Sequence, residues 1–67
     1  IFPNPATDFV QIAELSQSAD YRIFNVTGNE VGHGTIDINK QVDVSQFNPG
    51  IYFLKLENGT NLRFVKN

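Results

Sequence analysis

The chain has 67 residues, 40% of them apolar and 18% charged, with five Lys/Arg against seven Asp/Glu for a net charge of −2. That length allows one small domain burying about 60% of the surface its unfolded form exposes, and so much apolar material excludes a disordered segment. The absence of cysteine excludes disulfides, thiol catalysis and Cys-based zinc sites, and the scattered Arg22, Lys40, Lys55, Arg63 and Lys66 exclude a basic patch for nucleic acid or anionic membrane.

Pro3-Asn4-Pro5 excludes helix at the start and predicts an extended, polyproline-like approach to a first strand over residues 8–13. There Val10 and Ile12 share one face and Phe9 and Gln11 the other. A polar connection over residues 15–20 leads to a second strand, residues 21–26, with Tyr21, Ile23 and Asn25 opposing Arg22, Phe24 and Val26. Thr27-Gly28-Asn29 is a turn. The third strand, residues 30–38, carries Gly32 and Gly34, which predict an edge, a bulge or a close backbone approach.

Asn39-Lys40 makes a further turn before a short strand, residues 41–44, with Val42 and Val44 inward. Residues 45–50 form a corner, in which Pro49 fixes φ and Gly50 can take a positive φ. Tyr52, two residues on, sits where a tyrosine corner would place it, its ring in the core and its hydroxyl on backbone upstream. Residues 51–57 are the strongest strand, with Tyr52, Leu54 and Leu56 on one face. Asn58-Gly59 is a hairpin signal, and the last strand, residues 61–66, returns antiparallel with its other side read as a free edge. No window has the helical period. The fold class is all-β: a small antiparallel immunoglobulin-like sandwich of about six to seven strands.

The longest apolar run, residues 51–54, is far short of the roughly 20 residues of a membrane helix. The chain contains no methionine and no visible signal peptide, and reads as a fragment or processed domain of a longer protein. His33 is the lone histidine, Asp8, Asp20, Asp37 and Asp43 do not match EF-hand spacing, and no serine has a base partner. Neither a catalytic constellation nor a metal or cofactor site is expected, and no small-molecule substrate. Asn25-Val26-Thr27 and Asn58-Gly59-Thr60 fit the glycosylation sequon but read as turn chemistry.

Three blocks stand in order. They are Phe2-Pro3-Asn4-Pro5-Ala6-Thr7-Asp8, then Ile23-Phe24-Asn25-Val26-Thr27-Gly28 with Val31. The last is Asp43-Val44-Ser45-Gln46-Phe47-Asn48-Pro49-Gly50-Ile51-Tyr52-Phe53-Leu54-Lys55-Leu56 with Arg63-Phe64-Val65-Lys66. Together, over residues 1–67, they resemble the carboxy-terminal sorting domain (type A) of type IX secretion cargo proteins in Bacteroidota. The chain departs mildly at Phe47, where the family is usually aliphatic, at Arg63, often lysine, and at Asn25, often aspartate.

The resemblance implies an address label rather than a catalyst. The cargo is expected to reach the periplasm by an ordinary signal, then the cell surface or medium through the outer-membrane translocon. Implied partners are translocon components, an outer-membrane barrel shuttle protein and a sortase-like peptidase cutting upstream of Pro3-Asn4-Pro5. Arg63, Phe64, Val65 and Lys66 are the candidates for partner recognition, whereas Pro3, Asn4, Pro5, Gly28, Pro49, Gly50 and Tyr52 are structural. The alternative, an Ig-like adhesion or carbohydrate-binding module of a secreted protein, is expected to present a planar row of exposed aromatics. The aromatics here mostly follow strand alternation into a core.

Overall fold

The computed structural model describes every residue except Glu14, Ser16 and Asn39, so the predicted 15–20 connection and the Asn39-Lys40 turn lie partly outside the described residues. Six strands follow one another: β1 (Phe9–Val10), β2 (Ala19–Asn25), β3 (Glu30–Ile36), β4 (Val42–Asp43), β5 (Gly50–Leu56) and β6 (Asn61–Lys66). No described residue is helical. β1 pairs with β4, and the other four strands form one antiparallel sheet in the order β3-β2-β5-β6. The architecture is an all-β, immunoglobulin-like small sandwich.

Period-two alternation decides which face each residue takes. Ile23 on β2, Leu54 on β5 and Phe64 on β6 are almost fully buried, and Val10, Ile36 and Val44 join them in one core. Tyr52 and Leu56 complete the buried face of β5, as the alternation predicts. Val42 and Val44 are both buried beside the corner.

The glycine signal in β3 is realised in all three ways that it predicts. β3 is an edge strand, the β2–β3 register shifts between Ile23 and Phe24, and Gly34 lies beneath the Tyr21 ring. A Cβ at Gly34 would sit 3.0 Å from the Tyr21 hydroxyl, so the ring occupies the space a side chain would need.

One expectation changes. The first strand is only two residues long, because β4 offers a short partner; beyond it Gln11 bridges Phe2 rather than extending the pair. The Phe2–Pro3 and Asn4–Pro5 peptide bonds of the opening segment are cis.

Candidate functional site

The corner is built as Tyr52 predicts. Its hydroxyl donates to the Asn48 carbonyl at 2.7 Å, and its ring packs between Phe47 and Phe64, with centroids 5.0 and 5.6 Å away. The Ser45 N–H donates to Asp43 Oδ1 at 2.9 Å and opens the corner. The Ser45 hydroxyl and N–H hold the Asp43 carboxyl below its ordinary value. Gly50 has φ of +156°, which a side chain would adopt only with strain. The Asn58-Gly59 hairpin forms as expected, closed by the Leu56 N–H on the Thr60 carbonyl at 2.8 Å.

In the middle block, Asn25 organises the β2–β3 turn through a single atom. Its Oδ1 accepts from the Thr27 N–H at 3.1 Å, the Thr27 hydroxyl at 2.8 Å and the Asn29 N–H at 3.0 Å. An oxygen acceptor is all that these donors require, so asparagine and aspartate are equivalent in this respect. Gly28 follows with φ of +88°.

The tail strand is where the structure departs most from expectation. The Ala6 N–H donates to the Val65 carbonyl at 2.7 Å, and the Asn67 N–H donates to the Ala6 carbonyl at 2.8 Å. Asn4 Oδ1 accepts from the Val65 N–H at 2.9 Å. The outer edge of β6 is therefore covered at Val65 by the opening segment, and the reading of it as a free edge is corrected there. Within Pro3-Asn4-Pro5, the Asn4 side chain ties the opening segment to the tail strand. Nothing in the sequence signals that tie, because its partners are 61 residues apart.

Alternation also splits the four candidate recognition residues. Phe64 is fully buried and Lys66 is 7% exposed, its Nζ donating to the Asn67 carbonyl at 2.9 Å. The Phe64 ring thus lies inside the folded domain rather than on its surface. Arg63 is exposed and Val65 half-buried, both on the opposite face.

That outer face has its own electrostatics. Arg22 and Glu30 pair at 2.7 Å, and His33 Nδ1 stands 3.2 Å from the same carboxylate. The Arg22 hydrogen bond holds the Glu30 carboxyl below its ordinary value, with the charges of Arg22 and His33 acting in the same sense. Among the described residues no group of three or more His, Cys, Asp or Glu is placed to hold a metal. An open depression of about 430 Å³ lies between Asp8, Phe9, Gln41, Asp43 and Ser45. It is lined by the Asp8 and Asp43 carboxylates, the Gln41 amide and the Ser45 hydroxyl, which is engaged with Asp43.

Residues 1–67 match the family described as the secretion system C-terminal sorting domain. The chain belongs to this family. No curated protein and no solved structure matches it. The sorting domain is a type IX secretion signal, which implies interaction with the type IX machinery and a cargo bound for the cell surface or extracellular space. The sorting domain's motif residues fall into two structural jobs: Asn25, Gly28, Gly50 and Tyr52 shape turns and corner, whereas Asn4 ties the two ends together.

Proposed function

We propose that this sorting domain directs its cargo from the periplasm through the type IX outer-membrane translocon, carried by an outer-membrane barrel shuttle, and is then removed by a sortase-like peptidase cutting upstream of Pro3. The family match over residues 1–67 carries this reading. Recognition falls to the outward side chains of the tail strand, Arg63 and Val65. Phe64 and Lys66 act indirectly by holding that strand in the core.

The arrangement supports recognition of a folded label. The ends of the chain are joined by backbone hydrogen bonds, so the tail strand is set in place only when the whole domain has folded. The test is fusion of residues 1–67, behind a short linker, to the carboxy terminus of a periplasmic reporter in a bacterium with type IX secretion. The reporter is expected outside the cell. Retention in the periplasm while native cargo is exported overturns the reading.

A further inference from the structure

Strand alternation leaves one face of the four-stranded sheet outside the sandwich. On it the register sets Phe24 opposite Phe53, Phe53 opposite Arg63, and Ile51 opposite Val65. Ile51 is 38% and Phe53 36% exposed, while Phe24 and Val65 are half-buried. These side chains form a continuous apolar stripe across β2, β5 and β6. An apolar patch on a soluble face marks an interaction surface more often than an isolated exposed residue does.

Cations flank the stripe. Lys55 Nζ lies 5.1 Å from the centroid of the Phe24 ring, and Arg63 stands beside Phe53. Arg22 on the same face is neutralised by Glu30, but among the described residues no carboxylate lies within 4.0 Å of Lys55 or Arg63. Two uncompensated cations thus border an apolar stripe in a chain whose net charge is −2. The acidic groups at the far end of the face are engaged: Asp20 accepts the Thr35 hydroxyl at 2.7 Å, and Glu57 accepts the Asp20 N–H at 3.3 Å.

We propose that this face docks a protein surface presenting an apolar ridge flanked by carboxylates. The proposal rests on the sorting reading and extends the recognition surface from Arg63 and Val65 across β5 to Phe24. Its chemistry selects the partner class. Phenylalanine lacks the polar handle with which Tyr and Trp meet a wet ligand such as a sugar. Two cations are too few for an anionic membrane, which is recognised by clusters of about four to eight. Aromatic anchors with arginine at the border are the usual energetic centre of a protein interface, and the cations steer an acidic partner into register.

The experiment uses the reporter fusion and measures the exported fraction, with melting of each purified domain as the check on folding. Ile51→Thr/Phe53→Thr removes the stripe while keeping β-branched or strand-compatible residues, and Lys55→Glu/Arg63→Glu reverses the flanking charges. Each is expected to reduce export at least tenfold, with melting temperature within a few degrees of the parent. Arg63→Lys is expected to export as the parent does, and so is Gln41→Lys on the opposite, β4 side. Folded face variants exported like the parent overturn the docking surface, as does an equal loss with Gln41→Lys. If charge reversal lowers the melting temperature, Lys55→Gln/Arg63→Gln decides in its place, by the same criterion. A parent fusion that is itself retained overturns the sorting function instead, so the two failures are distinguishable.

Discussion

Asn4 Oδ1 accepts a hydrogen bond from the Val65 N–H at 2.9 Å, joining the opening segment to the tail strand. The backbone of Ala6 holds the chain just beyond that point, its N–H donating to the Val65 carbonyl at 2.7 Å and its carbonyl accepting from the Asn67 N–H at 2.8 Å. Replacing Asn4 by Leu removes the side-chain acceptor and is expected to cost about 0.5–1.5 kcal/mol. In a domain of this size that lowers the melting temperature by roughly 4–8 °C per kcal/mol. Asn4→Asp keeps an acceptor and should stay close to the parent. Thermal melts of the two variants check this, and a Leu variant that melts with the parent would mean that Ala6 alone secures the tail.

The tyrosine corner separates into ring and hydroxyl. Tyr52→Phe keeps the stack on Phe47 and Phe64 but loses the bond to Asn48, and is expected to cost about 1 kcal/mol. Tyr52→Ala removes the ring from a site only 8% exposed and should cost about 3 kcal/mol or more. Denaturant unfolding of both variants gives the two increments, and equal values would mean that the ring contributes nothing beyond the hydroxyl.

Asn25 tests what its turn requires. Asn25→Ala leaves three donors without their shared acceptor and should cost about 1 kcal/mol or more. Asn25→Asp supplies an oxygen in the same place and should melt at or above the parent near neutral pH. An Ala variant that melts with the parent would remove this oxygen from the account of the turn, and an Asp variant as unstable as Ala would show that the neutral amide, rather than the oxygen alone, matters.

Alternation was legible along β2, β5 and β6 because each has one face on the core, and the corner was legible because Pro49, Gly50 and Tyr52 each have a narrow structural use. The first strand is shorter than its pattern suggests, since the alternation from Phe9 to Ile12 says which residues face inward but not how far a partner extends. Asn4 could not be assigned a partner from the sequence: a side-chain bond across 61 residues leaves no local trace. Phe24 and Phe53 were hidden by the same habit that found the core. Aromatic residues in a strand suggest burial, yet their parity opposes that of Tyr52 and Leu54, and parity places them outside.

The Arg22–Glu30 pair predicts an acid-sensitive contribution to stability. Glu30 has its folded pKa lowered, first by the Arg22 hydrogen bond, so its contribution is present above the unfolded pKa, about 4, and is lost as pH falls through the folded value. Asp43, lowered by Ser45, acts in the same direction. Melting temperature should therefore fall between about pH 5 and pH 3, and Glu30→Gln should flatten part of that decline. An unchanged pH profile in Glu30→Gln would remove the pair from the account of stability.

Shortening the tail separates structural from recognition roles only if the cut is chosen by parity. Deleting residues 65–67 removes all three bonds to the opening segment and the buried Lys66 stem. Three such bonds amount to about 2–4 kcal/mol, a large share of the roughly 3–10 kcal/mol expected for a domain this small. The truncated domain is thus expected to melt far below the parent, and any loss of export from it reports unfolding. Arg63→Ala makes the cleaner cut, because the side chain is exposed and has no ion pair among the described residues. It should leave the melting temperature nearly unchanged and lower the exported fraction of a reporter fusion several-fold. Full export of Arg63→Ala, beside a parent-like melt, would show that the tail strand's charge is not what the machinery reads.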